Sequence, residues 1–312
     1  MNSLTDKHIP SQVERLYRSL FRIRLFEQTV LENFPKGVFS GTTHTYLGQE
    51  ANAVGVLDHL GDVDIVFSSH RCHGHFLAYG GDIRALFAEL MGKATGVCGG
   101  RGGSQHLHWH NFYSNGVQGG ITPIAAGMAL AEKAKCSGAI VFIFIGDGTL
   151  GEGVLYEALN MSALWSLPIL FILENNRIAQ TTPVEMAVAG PISARFEAFG
   201  IPYTVLDTSD VLPIHAAALI SVEQVRQLSA PRALVLHTYR FGPHSKGDDT
   251  RTEAELRQMK QERDPITIHA TRLSPERRAE IEAKVSAEIQ KSYQQALEDP
   301  YPELAHLKFV RR

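Results

Sequence analysis

Apolar and polar positions change their spacing several times along the 312 residues. In SQVERLYRSLFRIRLFEQTVLEN (11–33), Val13, Leu16, Leu20, Ile23, Leu25 and Val30 recur at roughly helical spacing, which predicts an opening amphipathic helix. A glycine-punctuated segment follows. Residues 65–69 read as a short strand, 82–91 as a helix begun by an aspartate cap, and 92–120 as a long glycine-rich loop region. Beyond it the pattern alternates: helix at 123–135, buried strand at 139–145, helix at 153–164, strands at 169–174 and 203–206, helix at 211–228, strand at 232–239. A charged amphipathic helix at 275–297 follows, suited to packing on a neighbouring surface.

Strands alternating with helices imply an α/β fold with a doubly wound, mostly parallel sheet. The length fits a single domain over 1–312, with an N-terminal helical segment (about 10–60) and a C-terminal helix (about 275–298). In such sheets ligands bind beyond the carboxyl ends of the strands. GDG (146–148), ENN (174–176) and YRFGPHS (239–245) each begin at a predicted strand end and are expected to face one crevice.

Charge removes some partners. Thirty Lys+Arg against 33 Asp+Glu give a formal charge of −3, so no basic excess points to nucleic acid or an anionic membrane. The apolar runs AIVFIFI and LPILFIL are too short to span a bilayer, and MNSLTDKHIPSQ lacks the basic start and apolar stretch of a signal peptide. Cys72, Cys98 and Cys136 form neither a disulfide framework nor a C-x-x-C pair. The expectation is a soluble protein of a reducing cytoplasm.

The chemistry concentrates in VFIFIGDGTLGEGVLYEALN (141–160). Gly146, Gly148 and Gly151 satisfy G-x-G-x-x-G, and Glu174 ends the next strand where a dinucleotide fold keeps its ribose-binding acid. Asp147 opposes that reading, because its carboxylate would face a bound pyrophosphate unless a divalent cation stood between them. Magnesium favours oxygen ligands, and Asn176, 29 positions on at the next strand end, offers one. Asp147 and Asn176 as mere turn caps is the plain structural alternative.

This turn followed by a double asparagine resembles the thiamine-diphosphate signature, and the chain is similar throughout to the α subunit of the E1 component of 2-oxo acid dehydrogenases, a group that includes acetoin dehydrogenase. The matching stretches are THTYLGQEA (43–51), SSHRCHGHFLAYG (68–80), GKATGVCGGRGGSQH (92–106), NGVQGGITPIAAG (115–127), GDGTLGEGVLYEALNMSALWSLPILFILENN (146–176) and TYRFGPHSKGDD (238–249).

The resemblance implies thiamine diphosphate and Mg2+ as cofactors. Asp147, Asn176 and the backbone carbonyl of Ile178 would be the metal ligands, with Gly146, Gly148 and Thr149 beside the diphosphate. Arg71 and His70 would grip the diphosphate, Gly116 and Gln118 cradle the aminopyrimidine, and His244 serve as the active-site loop histidine, with His73 and His44 as catalytic neighbours. An imidazole titrating near neutrality suits proton movement. A zinc reading of His70, His73 and His75 lacks a completing carboxylate or thiolate, and of the alternating His106, His108 and His110 only His106 falls in a family match. Cys72 is read as packing.

The family's glutamate beside pyrimidine N1′ has no assignable counterpart, which implies a β subunit, an α2β2 assembly, and an acceptor such as a lipoyl-bearing acyltransferase. HRCHGH is similar to the acetoin type and FGPHSKGDD to pyruvate or branched-chain types, while Lys246 departs from the usual Thr or Met. The substrate expected is a small 2-oxo acid or acetoin. The competing readings are a thiamine-dependent carboligase or non-oxidative decarboxylase, a non-catalytic relative, and a plain NAD oxidoreductase.

Overall fold

The computed structural model describes residues 11–303 apart from Lys246 and Asp248; the segment 1–10 and Lys246 therefore lie outside the described residues. Among the described residues nine strands form in chain order: β1 Ile65–Ser68, β2 His108–Trp109, β3 Phe112–Ser114, β4 Val141–Gly146, β5 Ile169–Asn175, β6 Ile178–Ala179, β7 Thr182–Pro183, β8 Tyr203–Asp207 and β9 Arg232–His237. Seven make one sheet in the order β2-β3-β1-β4-β5-β9-β8. All its pairings are parallel except β2 with β3, and β6 pairs antiparallel with β7 in a separate hairpin.

β4 and β5 are buried along nearly their whole length, as strands covered on both faces must be. Their side chains alternate between two apolar cores. Phe142 and Phe144 join one with Leu16, Leu20, Phe87 and Ile214, while Ile143 and Ile145 join the other with Ala125, Leu155 and Phe196. Helices thus cover both faces: Gln12–Asn33, Ile83–Leu90, Val211–Leu228 and Pro275–Glu298 among those on the first, Ile121–Lys135 and Gly153–Leu164 on the second. The architecture is α/β, with a mostly parallel sheet flanked by helices.

The first helix starts on a capping box, Ser11 with Glu14, a device worth about 1 kcal/mol. The terminal helix buries Ile281, Val285, Ile289, Tyr293 and Ala296 against Gln12–Asn33 and Ile83–Leu90. The core therefore joins the first and last described helices. Among the described residues no helix is long and apolar enough to cross a membrane.

The structure departs from the spacing-based reading in three stretches. The glycine-punctuated segment contains a helix at Glu50–Leu57, and the HRCHGH region forms another at Cys72–Tyr79. The supposed loop at 92–120 contributes β2 and β3 to the sheet edge, with His110 at φ 52 turning the hairpin. That turn breaks the histidine alternation: His108 stacks on Tyr113, and His106 lies beside Gly116.

Candidate functional site

The carboxyl ends of the central strands open onto a cleft of about 270 Å³. Gly146, Asp147 and Gly148 leave β4; Glu174, Asn176 and Ile178 leave β5; Ser69, His70 and Arg71 leave β1; His244 closes the wall from the segment after β9. The three predicted strand-end segments do face one crevice, since Gly146 and Glu174 are in register as neighbours.

Asp147 and Asn176 sit together at this mouth. The Asn176 backbone N–H favours the charged form of the Asp147 carboxyl, and both side chains line the cleft. Asp147 is 2 % exposed, and burial pushes its carboxyl up from 3.8 to about 6 despite the opposing pull of Arg240 and Arg71. The Asn176 amide is held by Gln49, whose Oε1 accepts from Nδ2 at 3.0 Å. Asn175 turns the other way, to His237. Arg177 between Asn175 and Ile178 adopts φ 68, and this left-handed residue swings the chain from β5 into the β6 hairpin.

On the opposite wall Arg71 is buried and splits its guanidinium. Nη1 donates to the Thr45 carbonyl at 2.8 Å, while Nη2 meets the His244 carbonyl and Nδ1, each at 3.1 Å. Burial, then Arg240, lowers Arg71 to about 9, which leaves it cationic at neutral pH. Arginine only donates, so this contact places the proton of a neutral His244 on Nε2. His70 hydrogen-bonds Gln118 through Nδ1, and burial, with Arg71 next, drives it down to about 2 and keeps its ring neutral.

His44 stands edge-on to His70 and His244, with centroids 4.5 and 4.7 Å away, and its Nδ1 meets Gln105 at 3.3 Å. One ring nitrogen from each of the three histidines falls within 4.8 Å of the others. The Arg71 charge beside them suits an anion's oxygens better than a dication.

Three buried polar atoms here have no hydrogen-bond partner among the described residues: Asp147 Oδ2, Thr149 Oγ1 and His70 Nε2. Each such atom costs about 1–3 kcal/mol unless a ligand satisfies it. A cation between Asp147 and an oxygen-rich anion on the arginine side would satisfy them, so the donor set fits a magnesium diphosphate. Gly148 belongs to the same arrangement, because a side chain there would press within 3.1 Å of Ala179 Cβ.

Not every predicted site residue reaches the cleft. Gly116 and Thr149 do not line it, although Thr149 is buried beside Asp147 and Gly116 abuts Gln105. His44 does not line it either, and neither does His73. It is fully buried in the Cys72–Tyr79 helix, with Nδ1 3.2 Å from both Glu27 oxygens and Nε2 2.9 Å from Ser104 Oγ. His75 joins yet another network, with Ser68, Tyr46 and Glu174, which separates the three histidines of the zinc reading. Cys72 packs as expected, and burial lifts its thiol to about 12.

Several contributors escaped the sequence reading. Gln49 lay within the quoted GQE stretch without a role. Glu152 also lines the cleft and accepts from the Gly119 N–H at 2.9 Å, while Glu174, already placed at the crevice by the sequence, takes hydrogen bonds from Tyr46 and Asn52. Both carboxylates are thus engaged by the chain's own groups.

Comparison with known proteins agrees with this geometry. The family model for the dehydrogenase E1 component matches residues 18–305. The α subunit of the acetoin:2,6-dichlorophenolindophenol oxidoreductase of Bacillus subtilis is 38% identical over 302 residues, covering 94% of this chain and 91% of that protein. The pyruvate dehydrogenase E1 component subunit α of Zymomonas mobilis is 40% identical over 257 residues, covering 80% and 73%. The acetoin:2,6-dichlorophenolindophenol oxidoreductase α subunit of Cupriavidus necator is 34% identical over 299 residues, covering 92% and 90%. A cleft built by GDG, ENN and the His70–Arg71 pair, on a chain matched nearly end to end, belongs to the dehydrogenase E1 component family, the thiamine-diphosphate-dependent 2-oxo acid dehydrogenases, as a chain of the α-subunit type.

Proposed function

We propose that the cleft holds thiamine diphosphate through a magnesium ion, and that this chain is the α half of an α2β2 enzyme of the cytoplasm. The assembly decarboxylates a small 2-oxo acid or cleaves acetoin and delivers the acyl unit to a lipoyl group on a partner acyltransferase. The set Asp147 Oδ2 and His70 Nε2 in the cleft and Thr149 Oγ1 just behind Gly148, without hydrogen-bond partners among the described residues, carries this reading.

In it, Asp147, the Asn176 side chain and the Ile178 carbonyl hold the metal, with Gln49 fixing which way the Asn176 amide points. Arg71 and His70 bind diphosphate oxygens, Gly146 and Gly148 let the backbone approach them, and Gln118 flanks the aminopyrimidine from the cleft wall; Thr149, buried behind Gly148, and Gly116, against Gln105, support the same two ends. The bound cofactor supplies the carbon nucleophile and electron sink. His244, whose Nδ1 is committed to Arg71, gives or takes a proton at Nε2 as the acyl unit moves, with His44 supporting the ring. Glu174 and Glu152 are held by neighbours, so the glutamate for pyrimidine N1′ comes from the β subunit.

Calorimetry and turnover test this together. Heat is expected from thiamine diphosphate with Mg2+ and none from NAD; cleavage of a 2-oxo acid or acetoin is expected only after a β-type chain is added. Turnover by the purified chain alone would sink the two-chain assignment.

A further inference from the structure

Behind the cleft, the helix Ile83–Leu90 ends on a carboxylate that the reading above does not use. Glu89 is 0 % exposed, and no cation among the described residues lies within ion-pairing distance of it. Its charge is met by backbone alone. Oε2 accepts from the N–H groups of Cys98 at 2.7 Å and Gly100 at 2.9 Å, and Oε1 from those of Gly102 at 2.7 Å and Gly103 at 3.0 Å.

Four donors saturate an ionised carboxylate. The segment GVCGGRGGS is therefore wound around Glu89 as backbone nests wind around anions, with Gly99, Gly100 and Gly103 at φ 68, 74 and 58. Gly96, Gly100 and Gly102 have no room for a side chain, because a Cβ there would collide with Glu89 or nearby backbone.

The residues emerging from this winding are the ones that hold histidines. Ser104 Oγ meets His73 Nε2 at 2.9 Å, and Gln105 Nε2 meets His44 Nδ1 at 3.3 Å. His73 is anchored on its other side by Glu27, which also accepts from the Tyr46 N–H at 2.8 Å, two residues from His44. Both histidines are thus aligned from one fixed point.

We infer that Glu89 is a positioning residue of the site: its carboxylate templates the 98–103 turn so that Gln105 holds His44 in register with His70 and His244, while Ser104 fixes the buried His73. A Glu89→Gln side chain keeps the shape but turns one acceptor into a donor facing two N–H groups. The kinetic part of the test rests on the cofactor reading above; the exchange part does not.

Hydrogen exchange on the purified full-length protein without added cofactor is expected to accelerate roughly tenfold or more at residues 98–103 in Glu89→Gln, with strands β4 and β5 unchanged. Glu89→Asp, which keeps the charge on a shorter arm, falls between and serves if the first variant does not fold. In the assembled enzyme kcat drops roughly tenfold while the Kd for thiamine diphosphate with Mg2+ stays within about twofold, and in a Gln105→Ala background the same substitution costs less than about twofold. Loop amides that exchange as slowly as in the parent protein, or effects of the two substitutions that simply multiply, overturn the inference. A parent protein that fails to bind thiamine diphosphate overturns the cofactor reading instead, and the exchange comparison still decides the role of Glu89.

Discussion

Replacing Asp147 with Asn is expected to stabilise the empty protein while removing its response to the metal. Burial holds the Asp147 carboxyl at about 6 instead of 3.8, so at pH 7 the folded state carries an anion it disfavours. At 1.36 kcal/mol per pH unit the penalty is about 3 kcal/mol. The sign follows from proton counting. Between pH 3.8 and about 6 the folded state binds more protons than the unfolded one, so stability falls as pH rises through that window and stays low above it. Asp147→Asn removes the anion, and the empty protein gains up to about 3 kcal/mol at pH 7, a few degrees of Tm for a chain this long. At pH 4 the gain shrinks toward zero. Thermal scans at pH 4 to 8, with and without MgCl2 and thiamine diphosphate, read both effects. The parent protein rises in Tm with the pair of ligands at pH 7, and the variant does not. A variant that is less stable than its parent at pH 7 when empty, or that still responds fully to the ligands, refutes the argument that a buried carboxylate is kept there for a cation.

Other consequences are open to the same instruments. Gln49→Ala releases the Asn176 amide and is expected to weaken Mg2+-dependent cofactor binding by about tenfold or more, read by calorimetry at varied MgCl2; unchanged binding would mean Asn176 needs no such support. Ile289→Ala opens a cavity where the terminal helix meets the opening one and is expected to cost about 2–5 kcal/mol in denaturant titrations; a loss below about 1 kcal/mol would show that this helix is not part of the core.

Much of this fold was legible because strands and helices differ so plainly in period. The runs at 139–145 and 169–174 appear as β4 and β5 within a residue or two, and 153–164 and 211–228 are helices with those very ends. What escaped has a physical cause. All eight residues of Glu50–Leu57 are buried, so no polar face marks the helix period. β2 and β3 hold two and three residues, too few for alternation to register. At the site, Asp147 and Asn176 were readable because parallel strands deliver their ends to one edge. Gln49 and Tyr46 were not, since they meet Asn176 and Glu174 across separations of 127 and 128 residues. His73, two residues after Arg71, sits fully buried in the helix that starts at Cys72, a placing that sequence spacing does not show.

The pairing of the two chain ends bears on how the protein is made. Tyr17 in the opening helix donates to Glu282 in the closing one, 265 residues later, and both helices complete the same apolar layer. At about 5–20 residues per second, the ribosome exposes the first helix for roughly 13 to 50 seconds before its counterpart is synthesised. Throughout that interval the side of the opening helix that the closing one will cover, around Tyr17, waits for its partner, a natural target for a chaperone on the nascent chain.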